Sequence, residues 1–223
     1  MPDPVQLDVI SDTICPWCYI GKRRLEKALA LRPDVEVDVR WRPYQLDATI
    51  PSGGVDRKEY LEKKFGGPER AAEIYQRIRD AGAEEDIPFA FEAIRRTPNT
   101  INSHRLIRWA ATADCQDAVV ERLFRLYFLE GGDIESPDAL IGVARETGMD
   151  ADLVSELIAG DADVDLVERE IRTAQKIGVT GVPCFIFANS FGVMGAQTGD
   201  VLADAIDKAL AEAAQPEGAD APA

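Results

Sequence analysis

The sequence predicts an α/β fold in which a small mixed sheet is interrupted by a large all-helical insertion. Three observations lead there. Two runs near the N-terminus carry the period-two alternation of strands, and a long stretch from Asp56 to Gly178 shows only helical spacing. A short apolar run followed by turn residues then returns the chain to β structure. With 223 residues, 46% of them hydrophobic, the chain can bury the core of one large domain or of a domain carrying an insertion.

The first strand is Val5 to Ile10, rich in β-branched residues and leading directly into Ser11-Asp12-Thr13-Ile14. From Pro16 the apolar positions Tyr19, Ile20, Leu25, Leu29 and Ala30 follow a helical stripe, with proline suited to the first turn and a stop near Arg32-Pro33-Asp34. Val35 to Trp41 alternates apolar and charged side chains without a break, a half-buried strand. Turn signals at Gly66-Gly67-Pro68, Pro88, Pro98, Gly131-Gly132 and Gly148 divide the insertion into amphipathic helices, with no convincing strand among them. Cys184 to Phe187 and Val193 to Ala196 read as a hairpin turning at Asn189-Ser190-Phe191-Gly192, and a last helix follows Gly199-Asp200. The expected division is residues 1–55 and 178–214 for the sheet-bearing domain, 56–177 for the insertion, and 215–223 for a disordered tail.

Composition narrows the function classes. A formal net charge of −15 repels phosphate backbones and anionic lipid headgroups, so nucleic acid is not an expected partner. Charged residues interrupt every apolar stretch before it reaches the roughly 18 residues of a membrane span. The first strand begins almost at Met1, which leaves no room for a signal peptide, so a cytoplasmic location is expected. In that compartment the four cysteines point to chemistry or core filling and not to a disulfide framework.

The chemistry centres on Cys15-Pro16-Trp17-Cys18. A thiolate at a helix N-terminus is stabilised by exposed backbone N–H groups and the positive end of the helix dipole. Cys18 lies one turn further on nearly the same face, so its sulfur can close a disulfide with Cys15. Cys15 attacks and Cys18 resolves, while Pro16 and Trp17 help set the balance between dithiol and disulfide. A zinc site is the competing reading of such a pair. The remaining candidates, His104, Cys115 and Cys184, offer no two residues at ligand spacing, so no metal is expected.

Ser11 to Gly21, Arg42-Pro43-Tyr44-Gln45-Leu46, Pro98-Asn99-Thr100 with Ser103-His104-Arg105-Leu106, and Gly178-Val179-Thr180-Gly181-Val182-Pro183 together resemble the DsbA-like thioredoxin superfamily, and most closely its cytoplasmic FrnE-type branch. The resemblance spans Val5 to about Leu210. It implies a thioredoxin-like fold with a helical insertion, Cys15 as nucleophile, Cys18 as resolving thiol, and Pro183 as a cis proline facing them. Val182 is then expected to offer backbone hydrogen bonds to a bound peptide or to glutathione, a co-substrate and not a tightly bound cofactor. The 2-hydroxychromene-2-carboxylate isomerases and kappa-class glutathione transferases look similar overall, but carry serine where Cys15 stands. Some FrnE-type proteins hold a further cysteine pair near the C-terminus that this sequence lacks, so an internal relay is not expected.

His104, on a helix that by resemblance leans over the site, is read either as a substrate contact and general base or as a packing and capping residue. Asn99 and Thr100 are candidate caps of that helix. Asp200 is read as a ligand for the amino end of glutathione, or as a helix-dipole partner. Cys184 would lie close to the redox pair in such a fold but reads first as a buried small apolar residue at a strand start, Cys115 as inert, and Phe124, Tyr127 and Phe128 as insertion core. Three functions follow: a thiol-disulfide oxidoreductase acting on protein or small-molecule thiols and disulfides, a glutathione-dependent isomerase or transferase of a small aromatic substrate, and a redox-sensing binding protein. Monomer and homodimer both remain open.

Overall fold

The computed structural model describes residues 4–213 of the chain; the tail expected at 215–223 lies outside the described residues. Its first elements are β1 (Val5–Ser11), α1 (Pro16–Ala30) and β2 (Val37–Pro43). β1 and β2 pair in parallel with Val5 opposite Val37, and α1 supplies the crossover that parallel neighbours require. β2 therefore starts two residues later than the alternation of Val35 to Trp41 suggests. Pairing, not periodicity, sets its start: β1 begins at Val5, whose N–H already reaches the Glu36 carbonyl at 2.9 Å.

The insertion comprises β3 (Val55–Asp56), α2 (Arg57–Phe65), α3 (Pro68–Ala83), a 3-10 turn at Phe91–Ala93, β4 (Arg96–Thr97), α4 (Ile101–Thr112), α5 (Gln116–Phe128), α6 (Pro137–Glu146), α7 (Ala151–Ala159) and α8 (Val164–Lys176). The two-residue ladder of β3 and β4 interrupts a stretch that reads as helical throughout. Strands this short carry no period-two signal, and a pairing between distant residues leaves none in either segment.

β5 (Cys184–Phe187) and β6 (Phe191–Met194) complete a four-stranded sheet of order β2-β1-β5-β6, with β5 antiparallel to β1, and α9 (Gly199–Ala213) follows. The hairpin turns earlier than expected, at residues 188–190, with Phe187 opposite Phe191. Ala188 (φ 48°) and Asn189 (φ 54°) both occupy the left-handed region, and the Phe187 and Phe191 rings stack at 5.5 Å across the ends.

α1 and α9 cover one face of the sheet, and α8 lies against the other. Leu7, Val9, Phe185 and Phe187 face α1 and α9 in one core that runs on into the insertion. Tyr19 of α1 makes the join, stacking on Phe124 at 5.1 Å with Phe128 and Phe89 around it. Phe124, Tyr127 and Phe128 are buried, and through Tyr19 Phe124 and Phe128 also hold α1.

Candidate active site

The β1–α1 loop creates the site. Cys15 is the N-cap of α1 in extended conformation (φ −91°, ψ 111°), with Pro16 at the first helical position, where its missing N–H costs nothing. The Cys15 N–H donates to the Asp12 carbonyl at 3.0 Å, and the Cys18 N–H to the Cys15 carbonyl at 3.0 Å, so tight turns hold the backbone of both cysteines at the entry and first turn of the helix. Both thiols are free. Cys15 keeps 4% of its surface exposed and Cys18 none, while Trp17 between them is 37% exposed. Burial pushes the Cys18 thiol well above its ordinary pKa, and the neighbouring Cys15 adds to this against hydrogen bonds from Ser11 and the Asp12 backbone.

The second wall is the turn before β5. Its Val182–Pro183 peptide bond is cis, and the Cys15 thiol donates to the Val182 carbonyl at 3.6 Å. α1 comes this close because residue 21 is glycine: a Cβ there would lie 2.9 Å from Pro183 Cγ and 3.3 Å from Phe185 Cζ. Pro183 and Phe185 thus face α1. Cys184, between them on the strand, must point to the opposite face. It packs there with Ile10, Tyr44, Ala174 and Val179, and burial raises its pKa. Cys184 adjoins Pro183 in the chain, but its side chain belongs to a different packed cluster from that of Cys15 and Cys18. Cys115 sits at the N-terminus of α5, half-buried, and burial raises its pKa as well.

Asp12 is the residue that sequence reasoning passed over. It is completely buried, and its Oδ2 accepts the Leu46 N–H at 2.8 Å. Oδ1 has no hydrogen-bond partner among the described residues and lies 3.5 Å from His104 Nε2. The same Nε2 donates to the Tyr44 carbonyl at 2.9 Å, since a carbonyl can only accept. His104 is 3% exposed, so its ring meets the loop after β2 and Asp12 instead of solvent. Thr13 Oγ1 and Ser103 Oγ, 2.8 Å apart, clasp the same loop to α4. Asn99 and not Thr100 supplies the cap of α4, its Oδ1 accepting the Ile101 N–H at 3.0 Å. The only local signal for Asp12 was an acid placed between an apolar strand and a cysteine.

Asp200 opens α9 and is exposed. Gly199 before it packs on α1 at Arg24, Lys27 and Ala28, which puts Asp200 beside the C-terminal half of that helix, roughly 17 Å along its axis from Cys15. Among the described residues no group of His, Cys, Asp and Glu is placed to hold a metal, and no helix is long and apolar enough to cross a membrane.

A mixed four-stranded sheet between helices, with a free dithiol at a helix N-terminus against a cis-proline turn, defines a thioredoxin-fold protein. Residues 6–207 match the DSBA-like thioredoxin domain, and the chain belongs to that family. It is similar to the crystal structure of a probable DsbA oxidoreductase, SCO1869, from Streptomyces coelicolor, at 30% identity and a TM-score of 0.85, covering 98% of this chain and 95% of that one. The fold is shared with a 2-hydroxychromene-2-carboxylate isomerase (17% identity, TM-score 0.70, 93% and 97% coverage). It is shared also with the cytosolic disulfide reductase DsbM from Pseudomonas aeruginosa, solved with GSH (18% identity, TM-score 0.62, 93% and 96% coverage).

Proposed function

We propose that the protein is a thiol-disulfide oxidoreductase that cycles Cys15 and Cys18 between dithiol and disulfide through mixed disulfides with protein or low-molecular-weight thiols, in the cytoplasmic manner of the FrnE-type branch. The observation that carries this reading is the asymmetry of the pair. Cys15 caps the helix against the Val182 carbonyl, while Cys18 is fully buried behind it with its thiol held protonated.

In the reducing direction the Cys15 thiolate attacks one sulfur of a substrate disulfide, and the other sulfur leaves as a thiolate that takes up a proton. Cys18 then loses its proton, attacks Cys15 Sγ, and expels the second substrate thiol. Two electrons pass from the dithiol to the substrate, and the oxidising direction is the reverse. Once Cys15 has lost its proton the Val182 carbonyl has no donor, and it is free to accept an N–H from a bound peptide or glutathione. Trp17 gives such a ligand an exposed apolar flank. His104 acts on this chemistry through Asp12 and the β1–α1 loop. Asp200 is the residue to test for glutathione. Glutathione-dependent isomerisation of a small aromatic substrate shares the scaffold, but it has no use for Cys18.

Equilibrium titration against glutathione redox buffers, with insulin reduction assayed alongside, tests the proposal. Wild type is expected to show one two-electron transition and turnover, Cys15→Ser neither, and Cys18→Ser a trapped mixed disulfide visible by mass spectrometry. Turnover that survives Cys18→Ser and requires glutathione with an aromatic substrate would replace this reading by the isomerase.

A further inference from the structure

Arg57, the first residue of α2, is 5% exposed and has no counter-ion among the described residues. Its Nη1 donates to Tyr127 Oη and its Nη2 to Tyr75 Oη, each at 2.9 Å, and no carboxylate of a described residue reaches it. The adjacent Asp56 is engaged elsewhere, its side chain capping α2 at the Glu59 N–H. Both phenols are held neutral: burial is the main cause of their raised pKa values, against the lowering effect of Arg57 itself. The guanidinium also lies over the Tyr75, Tyr127 and Phe91 rings at 5.2, 5.7 and 5.9 Å. Rings and phenols offset part of the desolvation of a buried cation, but they supply no negative charge.

This cation borders a cavity of about 460 Å³ between α2, α3 and residues 91–95. Leu61, Ala71, Phe91 and Ile94 give the cavity apolar walls, and Lys58 and Arg95 stand exposed at its mouth. Arg79 and Glu92, also at the cavity, pair with each other, which leaves Arg57, Lys58 and Arg95 against the single carboxylate of Glu62. On a chain of net charge −15 such a local excess of cations runs against the field of the whole molecule.

We propose that this cavity, lined by neither cysteine of the dithiol, is a binding site for a small amphipathic carboxylate whose anionic group pairs with Arg57 and whose apolar body lies against Leu61, Phe91 and Ile94. A charge-assisted, two-pronged hydrogen bond is the recognition a guanidinium favours, and a carboxylate would be the counter-ion that the fold leaves out.

The test uses the full chain with 3-phenylpropionate and its neutral amide, by calorimetry and by backbone amide NMR shifts. The carboxylate is expected to bind about tenfold more tightly than the amide. Its shifts should centre on α2, α3 and residues 91–95. Average electrostatics would favour the amide, so the preference must come from the site. Arg57→Gln should abolish it. If that variant does not fold, Lys58→Gln and Arg95→Gln at the mouth should each weaken the carboxylate about threefold. Equal affinity for acid and amide, shifts centred elsewhere, a folded Arg57→Gln that keeps the preference, or mouth variants that bind like wild type would each overturn the site. None of these readouts depends on turnover at Cys15.

Discussion

Gly21 is where α1 approaches the Pro183 turn most closely, and an added methyl meets a ring carbon that cannot swing aside. Gly21→Ala should therefore separate Cys15 from Val182 at a stability cost of about 1–3 kcal/mol. Misplacing reacting groups by a fraction of an ångström to an ångström costs more in rate, so disulfide exchange should fall about tenfold to hundredfold. A wild-type rate in a Gly21→Ala variant would show that this approach does not position the thiol. Cys18 gives a pH prediction. Because its folded-state pKa lies above the ordinary 9.0, the protonated thiol contributes stability that is fully present below pH 9 and is lost as pH rises through the folded value. Denaturation midpoints of the reduced protein should fall above pH 9 more steeply than those of Cys18→Ala. The two cysteines were legible in the sequence because their geometry is local, one helical turn. Asp12 was not, because its burial and its approach to His104 join segments far apart in the chain.

At the scale of elements, the insertion is fastened to the sheet-bearing part through α1. Glu85, just past the end of α3, is 8% exposed and pairs with Arg24 and Lys27 of α1, both at 2.7 Å, while Arg24 also donates to the Ala196 carbonyl at 2.6 Å before α9. Burial alone would raise its pKa, but the hydrogen bonds and charges of Lys27 and Arg24 outweigh it and hold the carboxyl below its ordinary 4.5. Glu85→Gln should cost about 2 kcal/mol at neutral pH, read as a shift in urea midpoint. The contribution is present above pH 4.5 and disappears as pH falls through the folded value, so wild type and variant should converge in acid. A difference that persists at low pH would mean that the amide disturbs packing instead of removing an ion pair. The helices of the insertion were readable from turn signals, since Gly66-Gly67-Pro68 divides α2 from α3 and Gly148 divides α6 from α7. The limits of β2, the hairpin turn and the β3–β4 ladder were not. Each is set by a partner strand.

The molecule as a whole carries −15 charges, and this field should act on every thiol partner that approaches it. Reduction of cystamine, a cationic disulfide, should slow severalfold as sodium chloride rises from about 10 mM to about 300 mM, while reduction of anionic glutathione disulfide should quicken over the same range. Stopped-flow rates for the two substrates check this. Parallel salt dependence would mean that local groups around Cys15 override the mean field.

Alternation, helical spacing and a Cys-x-x-Cys turn are written in neighbouring residues, so the fold class, the order of the elements of the four-stranded sheet, and the dithiol at the start of α1 could be read along the chain. Packing between distant segments turns Cys184 away from that dithiol, buries Asp12 beside His104, and leaves Arg57 among phenols with no counter-ion among the described residues. Burial and pairing are properties of packed segments. No window along a single chain carries them.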